Sequence, residues 1–199
     1  MIAIIDYGMG NLRSVQKAFE LLGFDAQVTR SRQKLCDASH VVLPGVGAVG
    51  DALDNLRQYD LAEEIHRQIQ TGKPFLGICL GMQMLFDKSL ENGEFDCLGV
   101  FRGKVVPFEI SLRVPHIGWN SIEKKDIPLF AGLKEREYVY FVHSYYASEV
   151  PAEDVITQTE YEIPFVSGVG RDNVFGLQFH PEKSGNTGLK ILENFGGLR

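Results

Sequence analysis

"PFLGICLGMQMLF", residues 74–86, sets one of the chain's three cysteines between two glycines, where an apolar run changes its period. Phe75 to Ile78 form a short continuous apolar stretch of the kind that makes a buried strand. Leu80 to Phe86 continue at helical spacing, so a helix packed directly behind the strand is expected. A strand, then Gly77-Ile78-Cys79-Leu80-Gly81, then a helix has the form of a nucleophile elbow with cysteine in place of serine. Such a turn strains its central residue, and flanking glycines let neighbouring backbone pass without Cβ clashes. It lies at the carboxyl end of a strand, where open α/β sheets bind ligands. The N–H groups and positive dipole of the following helix favour thiolate over thiol. A buried structural cysteine beside helix-packing glycines would leave the same local pattern.

Outward from this turn, strands and helices alternate. "IAII" near the N-terminus reads as a strand, and Leu12, Val15, Phe19 and Leu22 follow at helical spacing with Gly23 as a stop. "FDAQVT" and "HVVLPG" read as the second and third strands, with a turn after them into a helix at Asp51. "DLAEEIHRQIQTG" predicts a helix with Asp60 as N-cap, Glu63 completing a capping box and Gly72 ending it. The second half reads mainly as strands: "KVVPF", "GWNSIE", "EYVYFVHSYY", "DVITQTEY", "PFVSGVG" and "VFGLQFH". "GRDN" is a hairpin connection and "TGLKILENF" a final helix. The expected fold is one α/β domain over residues 1–199, a mainly parallel central sheet flanked by helices with an antiparallel extension.

The composition narrows the function classes. A chain of 199 residues with a net charge of −6 and 44% hydrophobic residues suits a single globular domain. That charge, with a sequence pI near 5.4, argues against nucleic-acid and anionic-membrane partners. The N-terminus lacks a basic region and a long apolar stretch, and no segment approaches the ~20 apolar residues of a membrane span. Three scattered cysteines suit a reducing compartment, so a cytoplasmic protein is expected. Cys36, His40, Cys79 and Cys97 show no zinc-ligand spacing, so neither metal nor cofactor is expected.

A thiolate nucleophile needs a base, and "LQFHPEKSG" offers His180 with Glu182 two residues on. At the end of an extended run both side chains project to one face, and Pro181 stiffens the backbone between them. A carboxylate on one imidazole nitrogen would fix the tautomer and leave the other nitrogen for the sulfur. A strand-end histidine beside a surface glutamate is the bland alternative. Together with Cys79, however, the pair completes a nucleophile, base and orienter. Oxyanion donors could come from the Leu80 N–H and from the glycine-rich turn "LPGVGAVGD" after the third strand. "DYGMGNLRS" holds only G-x-G, a weak dinucleotide signal, and the Gly-Lys-Ser/Thr ending of a P-loop is missing.

"GICLGMQ" with "HPE" resembles the class I (triad) glutamine amidotransferases, and the resemblance covers essentially the whole chain. Within that family, "DYGMGNLRS", "LPGVGAVGDA" and "PHIGWN" look most like the glutaminase subunits of imidazole glycerol phosphate synthases, in histidine biosynthesis. "YFVHSYY" and "QFHPEKSG" are further markers, and Val49 departs mildly from the aromatic expected after "PGVGA". The resemblance implies that Cys79 attacks the side-chain amide of L-glutamine, that His180 moves protons and that Glu182 orients His180. It implies an oxyanion hole from Leu80 and the Val46–Gly47 region, and glutamine held by Gln83, Glu91, Ser144 and Tyr145. Asn11, His116, Trp119, Asn120, Tyr140 and Lys183 would lie toward a partner, a (β/α)8-barrel cyclase forming a heterodimer. That cyclase uses the ammonia to make imidazole glycerol phosphate and aminoimidazole carboxamide ribotide. Alternatives are a paralogous glutaminase feeding a sugar amidotransferase, a degenerate binding subunit and a cysteine hydrolase acting on γ-glutamyl peptides.

Overall fold

A computed structural model describes residues 1–199. The first half follows the alternation of the sequence. In chain order come β1 (Ile2–Ile5), α1 (Leu12–Leu21), β2 (Ala26–Thr29), α2 (Arg32–Asp37) and β3 (His40–Gly45). Next are α3 (Val49–Gln58), α4 (Leu61–Gln70), β4 (Phe75–Cys79) and α5 (Leu80–Gln83). The second half holds β5 (Lys88–Ser89), β6 (Phe95–Asp96), β7 (Lys104–Pro107), β8 (His116–Lys124), β9 (Arg136–His143) and β10 (Tyr145–Ser148). It ends with β11 (Val155–Tyr161), β12 (Ile163–Arg171), β13 (Val174–Leu177) and α6 (Gly185–Gly197).

One 13-stranded sheet unites these strands. β2, β1, β3, β4 and β13 lie side by side and parallel, and β12 then joins β13 antiparallel to begin the extension. Side chains alternate between the two faces, as period two requires. Ala3, Ile5, Val41, Leu43 and Phe75 pack with α3 and α4 through Leu53, Leu56 and Ile65. Ile2, Ile4, Val42, Leu76 and Ile78 pack on the other side with α1 and α6 through Phe19, Ile191 and Phe195. Burial on both faces explains why these strands read as unbroken apolar runs. No helix is long and apolar enough to cross a membrane.

Several expectations need correction. α5 is a single turn, not a helix through Phe86. Beyond it the Leu85 and Phe86 N–H groups bond the Met82 and Gln83 carbonyls three residues back, and the Leu85 carbonyl accepts from the N–H groups of Val100 and Phe101. Asp60 occupies the N-cap position of α4 but in left-handed backbone, with φ 52°, and its side chain caps nothing. It also closes α3, with its N–H on the Arg57 carbonyl, and its carboxylate faces Arg32, so the capping box with Glu63 does not form. "EYVYFVHSYY" is two strands, broken at Ser144. α2, β5 and β6 were not anticipated from the sequence.

Candidate active site

The parallel order of β3, β4 and β13 brings three distant segments to one end of the sheet. Gly45 pairs with Cys79, and Leu177 with Ile78, so the segments leaving β3 and β13 pass on either side of Cys79. Cys79 has φ 54° and ψ −110°, a strained conformation for a side chain with a Cβ. The turn can be this tight because Gly81 packs on β3: a Cβ there would sit 1.8 Å from the Leu43 carbonyl oxygen. Neither backbone can yield cheaply, so Gly81→Ala is expected to cost about 3 kcal/mol or more, read as a lowered urea midpoint. A wild-type midpoint would show that the elbow tolerates a wider separation from β3.

The second arm comes from β13. The His180 N–H donates to the Tyr140 carbonyl at 3.0 Å, and the Ser184 hydroxyl donates to the His180 carbonyl at 2.7 Å. Glu182 is not on an extended strand: Pro181–Lys183 form a 3₁₀ turn, which Pro181 starts with its fixed φ and missing N–H. The turn still brings Glu182 Oε1 to 2.8 Å from His180 Nδ1, with both side chains almost fully buried. A carboxylate only accepts, so Nδ1 carries the proton and Nε2 is the free edge of the ring. Nε2 and Glu182 Oε2 have no protein partner of hydrogen-bonding geometry. Burial opposes a charged ring at His180, but the neighbouring Cys79 and Glu182 favour it more strongly and raise its pKa to about 10.

A cavity of about 380 Å³ opens over the sulfur. Val46, Gly47, Leu80, Gln83, Glu91, Ser144, Tyr145 and Lys183 line it with Cys79 and His180, and Glu182 stands behind His180. The buried Gln83 amide donates to the Tyr145 carbonyl at 3.1 Å and to Gln178 Oε1 at 3.0 Å. Glu91 accepts from the Val49 N–H at 2.8 Å, which aims its carboxylate at the α3 N-terminus. Burial raises the Glu91 pKa, the Val49 hydrogen bond opposes that rise and the nearby Asp51 charge adds to it. Val49 itself is fully buried, so its departure from an aromatic is absorbed by core packing. No cluster of His, Cys, Asp and Glu side chains is arranged to hold a metal.

Sequence reasoning missed Gln178, whose amide approaches the Cys79 sulfur at 3.8 Å, although a glutamine inside the apolar run "VFGLQFH" was a usable signal. It also missed His143, which lines the cavity. His143 Nδ1 donates to the Tyr145 carbonyl at 2.8 Å, so its Nε2 accepts from His116 Nδ1 at 3.0 Å. Asn120 then donates to His116 Nε2 at 3.3 Å. Every tautomer in this chain is therefore fixed by the carbonyl at its end.

His116 was expected toward a partner, but it is only 3% exposed, stacked between Tyr161 and Phe141. It therefore reaches a surface only through Asn120. Trp119 is 57% exposed and meets Tyr140 edge to face. Asn11, Asn120 and Tyr140 are half-buried outside the cavity, and Lys183 is exposed at its edge. Ile117 and Tyr138 are more than half exposed on the same β8–β9 pair, an apolar stripe not singled out from the sequence.

Burial lowers the pKa of His143 to about 3 and of His116 to about 4. Below the ordinary imidazole value the unfolded chain takes up protons that these buried rings refuse. Stability is thus expected to fall as pH drops from about 6.5 toward 4, and His116→Gln should flatten that fall in thermal unfolding. An unchanged slope in that variant would place the acid sensitivity elsewhere.

Residues 3–196 match the family described as Glutamine amidotransferase class-I. The chain is 52% identical over 199 residues to the imidazole glycerol phosphate synthase subunit HisH of Caldanaerobacter subterraneus subsp. tengcongensis, spanning 100% of this chain and 98% of that one. It is 51% identical over 194 residues to the protein of the same name from Aquifex aeolicus, covering 96% and 94% of the two chains. Among solved structures, PurLQS from Thermotoga maritima superposes with a TM-score of 0.78 at 22% identity, over 98% of this chain and 97% of that one. A structure described as a glutamine amidotransferase gives 0.77 at 19% identity, over 98% and 100%. At such identities these structures speak for the fold alone.

Proposed function

The chain belongs to the class I glutamine amidotransferase family, in the branch of the HisH subunits of imidazole glycerol phosphate synthase, and from that premise we propose that it hydrolyses L-glutamine through Cys79, His180 and Glu182. The observation that carries this reading is the strained Cys79 at the floor of a cavity shared with a His180 whose Nδ1 is held by Glu182. The Cys79 thiolate attacks the side-chain carbonyl carbon, forming a C–S bond and a tetrahedral oxyanion. His180 gives its proton to the amide nitrogen, the C–N bond breaks, and ammonia leaves a glutamyl thioester. His180, now neutral, takes a proton from water as the water attacks, and breaking the C–S bond releases glutamate. Glu91 offers a carboxylate to the α-ammonium group of glutamine, while Gln83, Ser144 and Tyr145 form the facing wall.

The oxyanion needs donors, and the ladder indicates how they are arranged. Val41 N–H bonds the Pro74 carbonyl, and Phe75 N–H bonds the Asn173 carbonyl. Even-numbered N–H groups of β4 therefore face β3 and odd-numbered ones face β13. By that alternation, with Gly45 opposite Cys79, the Leu80 N–H is turned toward the Gly45 carbonyl. Rotation of the Gly45–Val46 peptide would free the Leu80 N–H and present the Val46 N–H beside it. Gly47 at φ 91° and the exposure of Val46 and Gly47 suit a loop with two conformations.

Ammonia released into neutral water is protonated and lost as a nucleophile, so a sheltered path to an acceptor site on another chain is required. That partner is proposed to be the (β/α)8-barrel cyclase, docked over Trp119, Tyr140 and Lys183 as a heterodimer. Co-purification with the cyclase, followed by glutaminase assay with and without the cyclase's nucleotide ligand, tests the assignment. Stable association and ligand-dependent glutamate release are expected. Failure to associate would return the sugar-amidotransferase alternative.

Glu182→Gln is expected to lower kcat by about tenfold to a hundredfold, less than loss of the nucleophile, because a thiolate is intrinsically reactive and needs less help than a hydroxyl. The carboxylate also helps keep His180 protonated, so the alkaline limb of kcat/KM should move to lower pH. An unmoved limb would remove Glu182 from the orienting role.

A further inference from the structure

Tyr7 lies in "DYGMGN", a motif that no step above uses. Its side chain is fully buried, and its hydroxyl has no hydrogen-bond partner. Buried hydroxyls without partners are uncommon, because the lost hydration is not replaced. The location of this one is specific. β1 lies beside β3, so the residue just beyond β1 reaches the segment leaving β3. A Cβ built on Gly45 would come within 2.7 Å of the Tyr7 hydroxyl, 2.8 Å of Leu80 Cβ and 2.9 Å of the Gly81 nitrogen. The hydroxyl thus sits in the space that Gly45 leaves open, at the junction of the oxyanion loop and the elbow. Burial, with the Cys79 charge nearby, holds the phenol well above its usual pKa, so it remains a donor.

The missing acceptor is found by following the loop. While the Gly45 carbonyl faces the Leu80 N–H, it has a partner and the hydroxyl has none. When the Gly45–Val46 peptide rotates, that carbonyl leaves Leu80 and would itself be stranded in a buried place. We propose that Tyr7 is a positioning residue whose hydroxyl donates to the Gly45 carbonyl in the rotated conformation, holding the loop with its N–H turned to the oxyanion. The idea rests on the glutaminase reading and names a residue that stabilises its active state. An unpaired hydroxyl biases the resting loop toward the conformation that satisfies it, and only by as much as one hydrogen bond is worth.

Tyr7→Phe removes the hydroxyl and keeps the ring. In the complex loaded with the cyclase's nucleotide ligand, kcat for glutamine should fall about three- to tenfold, the equilibrium effect of one net hydrogen bond, with KM unchanged. Thermal stability should be equal or higher, because no bond of the resting state is lost, and synthesis from ammonium salt should be untouched. In a Val46→Pro background the same change should cost nothing further, since the two act on one peptide. A loaded kcat equal to wild type would mean that the hydroxyl serves no loop state. A loss that tracks a fall in thermal stability, or that persists in full in the Val46→Pro background, would make Tyr7 merely structural. Were the wild-type complex itself inactive on glutamine, the glutaminase reading would fail and this proposal with it, whereas a ligand-stimulated wild type beside an unaffected Tyr7→Phe sinks the proposal alone.

Discussion

Cys79→Ala is expected to lower glutamine hydrolysis by about ten-thousandfold or more, leaving no thioester route, while the complex still makes product from added ammonium salt. The division follows from where the sulfur sits. Its contacts to the Gln178 amide at 3.8 Å and the Val142 carbonyl at 4.0 Å are long, so its removal costs the fold little. Alanine carries the same Cβ into the same left-handed backbone, so the strain of the elbow is unchanged. The fold and the proposed partner surface around Trp119 and Tyr140 lie outside this perturbation. His180→Ala should be nearly as damaging, and the double variant no worse than either alone, because members of one catalytic unit are not additive. Measuring glutamate release and ammonia-dependent synthesis on the same preparation separates the two half-reactions. Loss of ammonia-dependent synthesis in a well-folded complex would count against a subunit that only supplies ammonia.

What was legible in the sequence was what neighbouring residues decide among themselves. "GICLG" announced the elbow because the glycines that let Gly81 lie on Leu43 are the glycines that flank the nucleophile. The buried strands were legible because a strand covered on both faces must be apolar throughout. The failures have a different origin, since in each a distant segment competes for a local group. Nothing in "LGMQMLF" reveals that α5 stops after one turn or that the Met84 and Leu85 carbonyls go to the distant Leu98, Val100 and Phe101. Asp60 looked like a cap because the sequence does not show that the end of α3 claims the same residue in left-handed backbone. α2 carries a usable start signal, Ser31, which accepts from the Lys34 N–H. With Leu35 its one buried residue, however, it has no period to detect. β5 and β6 are too short to show alternation.

The site divides along the same line. His180 and Glu182 were found as a pair, yet their geometry was misjudged, because Pro181 was read as stiffening a strand and it starts a turn. The resemblance places His116 toward a partner together with Trp119 and Asn120 of "PHIGWN". In a strand, alternate residues face opposite ways, and while Ile117 and Trp119 point outward, His116 packs inward on Phe141. Gln178 and His143 escaped notice because each meets a partner far away in sequence, and Tyr7 because the Gly45 turn it reaches is equally distant.

The isolated chain is expected to be a very slow glutaminase, and docking of the cyclase with its nucleotide ligand should raise kcat on the order of a hundred- to a thousandfold, with far less change in KM. In the resting ladder the Leu80 N–H faces the Gly45 carbonyl, so a tetrahedral oxyanion would meet an acceptor where it needs a donor. One peptide rotation reverses both signs, and the factor quoted is what one oxyanion donor contributes. The pocket walls proposed to bind glutamine, Glu91 on Val49 and Gln83 on Tyr145, take no part in that rotation, which is why kcat and not KM should respond. In Val46→Pro the backbone N–H is gone, so ligand stimulation should largely disappear. Alkylation of Cys79 should persist, because the imidazolium beside the sulfur is held by Glu182 and is independent of the loop. Full stimulation in Val46→Pro would show that another N–H is the switched donor. Rapid turnover by the isolated wild-type chain would mean that the oxyanion hole is already formed and that no such switch exists.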